Sequence, residues 1–162
     1  MIFKVAQMSR AIKVVTAGVL VLALAFVAGG LLDKYLPLGG LFVGVVALIC
    51  YLLAPVAYDT TGGQLTVLLR AGRISFGPIT GATLLPGRWP CTLRLFGNGG
   101  VFAGTGIYWN KAYGVFRAYV TSARLQDAVL ITTDTYKVMI SPEDPRAFLD
   151  ALPGSEKKLP TS

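Results

Sequence analysis

The N-terminal third of the sequence holds two long runs without a charged side chain, at residues 14–32 and 35–58. A helix of about 20 residues spans the hydrocarbon core of a bilayer, where backbone polar groups have to be paired within the segment. The link between the runs is centred on Asp33 and Lys34 and is too short to hold a domain. The sequence therefore predicts a transmembrane helical hairpin at residues 14–57, with helices at 14–32 and 38–57, after a tail at residues 1–13.

Small residues recur at a spacing of four in both runs. Ala25 and Gly29 share a face of the first predicted helix, and Gly40 and Gly44 share a face of the second. In lipid, where no hydrophobic driving force joins helices, small residues let two backbones approach closely. The spacing predicts the packing face of the hairpin, although Gly and Ala are also common on helix surfaces that face lipid.

Basic residues flank the two runs unevenly. Lys4, Arg10 and Lys13 precede the first run without an acidic residue, whereas the link carries one residue of each sign. Because loops rich in Lys and Arg stay on the cytoplasmic side, we expect a multi-pass protein of the inner membrane with both termini in the cytoplasm. The basic tail also resembles a signal peptide, but the apolar run is longer than usual and a second run follows it, which favours a retained helix.

The rest of the chain has the alternation and the turn signals of a β-rich domain, predicted over residues 58–152. Phe116, Ala118 and Val120 recur with the period of two that is typical of a half-buried strand. About seven short strands predict a small β-barrel or sandwich, and with the hairpin a membrane-anchored α+β fold. The predicted strands are 64–70 and 73–76, joined by a turn at residues 71–72, then 79–85, 107–110, 115–121, 128–133 and 136–141, while 91–96 fits a strand or a helical turn.

A capped helix is predicted near the end of the chain. Ser141 is the expected N-cap, Pro142 the first helical residue, and Asp144 the acid three residues after the cap. The run at residues 146–152 places Phe148, Leu149 and Leu152 on one stripe, so this short helix should dock onto the sheet and cap the barrel. Residues 153–162 read as a flexible polar tail.

Several strands followed by a terminal helix resemble the plan of a pleckstrin-homology (PH) domain. The segments that carry this resemblance are residues 93–102, 116–121 and 140–149. After two apolar runs, the chain resembles the bacterial PH-like membrane proteins, which place such a domain behind two transmembrane helices. The resemblance implies a fold and a placement at the membrane, and it carries no catalytic signature.

The residues that chemistry needs are scarce. The chain has no histidine, and Cys50 and Cys91 alone cannot build a zinc site. The glycine-rich stretch 97–106 lacks both the dinucleotide-binding spacing and the Lys-Ser/Thr of a P-loop, which favours a glycine-permitted connection between strands. The apolar runs carry no intramembrane charge, which argues against a transporter or channel. The sequence thus predicts no catalytic residue, no metal site and no cofactor.

A basic stretch is the most distinctive feature of the predicted domain. Residues 60–126 contain no Asp or Glu and seven basic side chains, interleaved with aromatic residues. Beside an anionic leaflet each basic residue contributes roughly 1 kcal/mol to surface binding, and Trp and Tyr favour the headgroup zone. The competing interpretation is that these side chains point in several directions into solvent. The candidate contacts are Arg70, Arg73, Arg88, Arg94, Lys111, Arg117 and Arg124, with Trp89, Trp109 and Tyr113 as candidate interfacial aromatics.

Two comparisons limit this binding hypothesis. Arg70 and Arg73 flank a turn like that at which many eukaryotic PH domains bind inositol phosphates, but the remaining Lys and Arg of such a motif are missing. Nucleic acid could also attract a basic excess, but the membrane hairpin makes it a poor partner, and none is expected.

The leading hypothesis is a non-enzymatic inner-membrane protein that presents a PH-like domain to a protein partner or to an anionic lipid surface. The alternative is a structural subunit of a membrane complex assembled through the hairpin, in which copies of the chain could also pair. A membrane enzyme of unknown reaction is the third candidate. The expected partners are membrane lipids and a protein that the sequence does not identify.

Overall fold

The computed structural model describes residues 1–31, 34–85, 92–122, 128–152 and 156–158. Two packed helices, α1 (Arg10–Ala28) and α2 (Leu36–Leu52), precede a mixed sheet and a short helix near the end of the chain, α3 (Pro145–Asp150). The predicted order of hairpin, β domain and terminal helix is confirmed. Among the described residues, α1 alone is both long and apolar enough to cross a membrane, with a mean hydropathy of 2.4, and α2 is a shorter apolar helix.

The described residues form one sheet of ten strands, more than the seven that the sequence predicted. The spatial order is β1-β2-β3-β4-β8-β9-β7-β6-β5, and β10 pairs with β4 off this path. The β7–β9 and β10–β4 pairs are parallel and the others antiparallel. The strands are β1 (Ile2–Lys4), β2 (Pro55–Asp59), β3 (Gln64–Leu69), β4 (Gly72–Leu84), β5 (Thr92–Gly99), β6 (Gly104–Asn110), β7 (Gly114–Val120), β8 (Val129–Thr133), β9 (Lys137–Ile140) and β10 (Glu156–Lys158).

The second apolar run is not helical to its end, so the helix predicted over residues 38–57 is wrong at its C-terminal side. Its last residues belong to β2, which begins at Pro55. The residue before a proline is driven out of the helical region, and proline lacks the N–H that a helix would need, so α2 stops at this point. A buried strand and an apolar helix cannot be distinguished by composition alone.

Both predicted tails contain structure. The prediction of a flexible tail at residues 153–162 is wrong at Glu156–Lys158, which form β10 and pair in parallel with β4. Ile2–Lys4 forms β1, which pairs antiparallel with β2 on the other side of the hairpin. Three residues are too few to show the alternation that predicts a strand. Their partner, β2, lies after both helices in the sequence. The strand predicted at residues 79–85 is the second half of β4, which continues through Gly77 at a positive φ of 83°.

The N-cap of the terminal helix is Asp144, and the prediction of Ser141 as the cap is wrong. The Asp144 carboxylate accepts hydrogen bonds from the backbone N–H groups of Arg146 (3.0 Å) and Ala147 (2.9 Å), and Pro145 begins the helix. Pro142 cannot begin the helix, because its backbone forms a β-bridge with Val5. Two prolines three residues apart offered two possible helix starts, and this pairing decides between them.

The main core lies between the sheet and α3. Phe148 is fully buried, and its ring meets that of Phe3 edge-on at a centroid distance of 4.8 Å, so the terminal helix is packed against β1. Phe116, Ala118 and Val120 of β7 are buried in a second cluster, which confirms the predicted alternation of that strand.

Candidate functional site

The hairpin meets the sheet at the end where α1 begins and α2 finishes. The four residues 100–103 that join β5 to β6, here called the glycine turn, lie against both helices. The backbone N–H of Phe102 donates to the Thr16 hydroxyl of α1 at 2.8 Å, and the Phe102 ring meets that of Tyr51 in α2 at 5.1 Å. The helices are therefore fixed to the sheet through this turn.

Glycine and one asparagine give the turn its shape. Gly97 and Gly106 face each other at positive φ values of 116° and 149°, and a Cβ on either would collide with the backbone of the opposite strand. The side-chain oxygen Oδ1 of Asn98 accepts from the backbone N–H groups of Gly100 (3.2 Å) and Val101 (3.0 Å). These amides are already bonded within the turn, so the turn serves as a connection between strands.

One side of the junction is closed by a buried hydrogen-bond network. The Tyr58 hydroxyl donates to the Tyr119 carbonyl at 2.6 Å and accepts from the Ser141 N–H at 3.2 Å. The Thr121 hydroxyl donates to the Ala6 carbonyl at 2.6 Å, just before α1. Burial raises the pKa of Tyr58 to about 12, although the Ser141 hydrogen bond opposes that shift.

The other side of the junction is open and forms a cavity of about 870 Å³, here called the junction cavity. One wall is a stripe of α2 made of Val46, Ile49, Cys50 and Leu53, which follow the i, i+3, i+4, i+7 spacing of a single helix face. The opposite wall comes from β3 to β7 and includes part of the glycine-rich stretch.

Two arginines are the charged residues among the described lining of the junction cavity, Arg94 and Arg117. Arg117 is half-buried, and its guanidinium carbon lies 4.3 Å from the ring centroid of Tyr136 and 5.8 Å from that of Phe76. Burial raises the pKa of Tyr119 above its usual value, while the Arg117 charge and hydrogen bond oppose the rise. No carboxylate occurs in the described lining, so the cavity is apolar on one wall and positive on the other.

The other predicted basic contacts lie in different parts of the structure. Arg70 lies at the end of α2, with its guanidinium carbon 4.3 Å from the Tyr51 ring centroid and its Nη1 3.2 Å from the Tyr51 hydroxyl. Arg73 is exposed near the start of β4. Lys111 is exposed in the turn between β6 and β7, at the other end of β6 from the glycine turn. Arg88, Trp89 and Arg124 lie outside the described residues.

The two described candidate aromatics lie at that same remote end. Trp109 is 44% exposed, and it is directly paired with Leu93 on one side and Val115 on the other. Tyr113 is half-buried, and its N–H donates to the Asn110 side chain at 2.7 Å. Trp109 with Leu93 and Val115 forms an exposed apolar row across β5, β6 and β7, remote from the hairpin.

The four small residues of the hairpin differ in their surroundings. A Cβ on Gly40 would lie 2.8 Å from the Val27 side chain and 2.9 Å from the Ala23 carbonyl oxygen, so the helices are in close contact there. Gly29 similarly approaches Leu36. Ala25 is exposed, and a Cβ on Gly44 would meet no atom of the described residues within 4 Å, so neither position resembles the close approach at Gly40.

Sequence reasoning missed two residues that build the junction. Thr16 is the sole hydroxyl side chain within the first apolar run, and that isolation was a usable signal. Tyr136 gave no signal, because its role depends on where β9 places it relative to Arg117. Among the described residues, no three His, Cys, Asp or Glu side chains lie together as metal ligands.

Comparison with known proteins assigns the domain. A family model described as a bacterial PH domain matches residues 57–155, more than half of the chain. Neither the curated proteins nor the solved structures contain a match. PH domains are in general non-catalytic binding modules, which supports a binding-module role for this domain. The sheet capped by a terminal helix and the matched segment together show that this chain belongs to the bacterial PH domain family.

Proposed function

We propose that this chain is a binding module held at the cytoplasmic face of the inner membrane by its two-helix hairpin, and that the module engages an anionic membrane surface. The observation that carries the proposal is the exposure of the hairpin. In the apolar 18-residue stretch of α1, only 11% of the residues are buried. A core helix of a soluble domain would be mostly buried, so these apolar surfaces call for a lipid environment.

The exposure extends around both helices. Leu24 of α1 is 69% exposed, and Phe42 of α2 is 69% exposed. Hydrophobic patches of this extent on a soluble monomer are rare and mark contact with a membrane or a partner. Because α1 and α2 are both apolar, bilayer insertion accounts for both at once.

Strand pairing supports the placement of both flanks of the hairpin on the same face of the membrane. The strand before α1 pairs directly with the strand after α2, with Ile2 opposite Asp59. Two flanks joined by strand pairing have to lie on the same face of a membrane. Lys and Arg in both flanks favour the cytoplasmic face.

Four basic residues lie where the hairpin leaves the sheet, and we call them the basic collar: Arg10, Lys13, Arg70 and Arg73. All four are exposed. At this boundary they would meet lipid headgroups, where each contributes about 1 kcal/mol to attraction by anionic lipid. The same charges would be screened at high salt.

Anchoring and topology are tested on the full chain in bacterial membranes. We expect the protein to stay in the membrane fraction after alkaline carbonate extraction. A reporter fused after the domain should be active only when the reporter is one that works in the cytoplasm. Release by carbonate, or activity of a periplasmic reporter, would overturn the anchoring or the orientation respectively.

Surface engagement is tested by hydrogen exchange on the full chain in nanodiscs of phosphatidylcholine with or without phosphatidylglycerol. We expect slower exchange around residues 69–73 in the anionic discs, and loss of that difference in R70E/R73E. K111E is the matched control, because it reverses an exposed charge remote from the collar. Equal exchange in both discs would contradict the proposal.

A protein partner is the second candidate, and the exposed apolar row favours it. Leu93 and Val115 are 59% and 58% exposed beside Trp109, although they lie far from the hairpin. Among the described strands, β5 also lies at an edge of the sheet, a position at which a partner can add a strand. If W109E abolishes a specific co-purifying protein while R70E/R73E does not, the partner binds at this row.

A further inference from the structure

We propose that the junction cavity binds one anionic phospholipid drawn from the surrounding bilayer, with its phosphate at the arginine wall and an acyl chain along α2. The inference rests on the proposed function in one respect, because the hairpin has to lie in a membrane for a lipid to reach the cavity. It goes further by naming the site, the residues and the class of ligand.

The apolar wall is suited to an acyl chain. Val46, Ile49 and Leu53 form one stripe, yet they are 43%, 50% and 46% exposed. Seven residues of helix rise by about 10 Å, so the stripe runs from the sheet well into the part of α2 that would face lipid. An acyl chain in the bilayer can therefore follow this surface into the cavity without crossing water.

The arginine wall is suited to a phosphate. Stacking of the Arg117 guanidinium on Tyr136 fixes its plane, while its N–H groups at the edge can still donate. Arg94 is exposed and lies along Gly99, where a side chain would collide with its guanidinium. Arg117 is thus held by stacking and Arg94 is exposed, and both present the forked N–H donors that hydrogen-bond phosphate oxygens.

The charge of the junction cavity differs from that of a second cavity in the sheet. The second cavity, of about 510 Å³, is lined by the cations Arg117 and Lys137 but also by the carboxylate of Asp134. The described lining of the junction cavity offers two cations and no anion. A negatively charged ligand is therefore favoured in the junction cavity over the second one.

The glycine turn limits which groups can hold the phosphate. Its N–H groups at Gly100, Val101 and Phe102 already donate to Asn98 and Thr16. Recognition of the headgroup then depends on the arginine side chains. Loss of either arginine should weaken binding about tenfold, as expected when a charge-assisted hydrogen bond is removed.

The test is native mass spectrometry of the full chain in a neutral detergent after lipid removal. Dioleoylphosphatidylglycerol, dioleoylphosphatidylcholine and glycerol phosphate are added separately at equal concentration. We expect one phosphatidylglycerol adduct per chain, and an occupancy about tenfold lower for the other two probes. Equal binding of phosphatidylcholine would reduce the site to an unselective groove, equal binding of glycerol phosphate would make it a free-anion site, and either result overturns the proposal.

The variants assign the adduct to the cavity. R94Q and R117Q should each reduce phosphatidylglycerol occupancy, whereas K111Q removes a remote exposed charge and should leave it unchanged. Arg117 also stacks in the sheet, so R117Q is interpreted only if its thermal midpoint is retained, and R94Q carries the test otherwise. V46W should lower occupancy by filling the apolar wall. An adduct that survives R94Q and V46W refutes the assignment.

This outcome is separable from that of the proposed function. The basic collar is tested by R70E/R73E in nanodiscs, and none of its residues lines the cavity. Surface engagement without a retained lipid would overturn only the cavity proposal. A retained lipid with unchanged exchange at residues 69–73 would overturn only the surface proposal.

Discussion

The two sides of the junction between hairpin and sheet are built in opposite ways. On the closed side, Tyr58, Thr121 and Ser141 are buried and joined to backbone groups through short hydrogen bonds. On the open side, an apolar helix stripe faces the sheet across a cavity of about 870 Å³. One side therefore fixes the helices to the domain, whereas the other leaves an open space between helix and sheet.

The two sides of the junction should respond differently to substitution. Buried polar groups are costly unless every partner is present, so a satisfied network permits one geometry only. The apolar wall of the junction cavity imposes no such geometry, and in the proposed complex a lipid chain would lie along it. Substitutions should therefore change stability on the closed side and ligand binding on the open side.

The largest effect is expected at Phe148, which lies in the core against Phe3. F148A should reduce the free energy of unfolding by about 3–5 kcal/mol, because a large buried ring is lost and a cavity remains. L53A, on the open side, is the matched control and should cost far less, since Leu53 is 46% exposed. Thermal unfolding of the full chain in detergent measures both, and equal losses would contradict the contrast between a buried core ring and an exposed cavity wall.

The next effect is expected at Tyr58 and depends on pH. Y58F leaves the Tyr119 carbonyl and the Ser141 N–H without this partner, which should cost about 1–3 kcal/mol. The Tyr58 pKa is raised in the folded state from 10.0 to about 12, so its contribution is complete below pH 10 and is lost as pH rises to about 12. That shift corresponds to roughly 2–3 kcal/mol.

Stability measured from pH 9 to 12 tests the Tyr58 prediction. The wild type should lose stability across the upper part of this range, and Y58F should lose less. Y113F is the control, because it removes a phenol outside the network. An identical pH profile for the wild type and Y58F would contradict the assigned role.

A smaller change in stability is expected at Asp144, the N-cap of α3. D144A should destabilise the protein by about 1 kcal/mol, because two N–H groups at the start of α3 lose their acceptor. D144N retains an acceptor oxygen and should recover most of the loss. Chemical denaturation distinguishes the two, and an equal loss in both would show that the charge, rather than the cap, is what matters.

The smallest change in stability is expected on the open side, at Cys50. In a C91S background, maleimide should label the Cys50 thiol faster after lipid removal than with phosphatidylglycerol bound, and C50S should leave the thermal midpoint nearly unchanged. Cys50 lines the cavity and is partly exposed, so an acyl chain would shield it. A labelling rate unaffected by lipid would place the ligand elsewhere.

Local patterns predicted the parts of this fold that depend on near neighbours. The apolar hairpin, the alternation of β7 and the stripe of Phe148 and Leu149 all follow from spacing along the chain. Assignment of the cap to Asp144 rather than Ser141 was not accessible in this way, because the β-bridge between Val5 and Pro142 decides it.

The candidate site was predictable only in part for the same reason. The basic stretch named Arg94 and Arg117, but their association with α2 depends on strand order. Parallel pairing of β7 with β9 brings Arg117 beside Tyr136, and nothing within either strand encodes that neighbour. Long-range pairing also explains β1, whose partner lies on the far side of the hairpin.

The placement of β1 has a consequence for how the protein is made. Its three residues are translated before the hairpin, their partner β2 after it, and Phe148, which packs on Phe3, close to the end of the chain. The hairpin therefore leaves the ribosome before the elements that close the domain have been made. The domain closes late, through contacts of high sequence separation, so its unpaired strands need protection during synthesis.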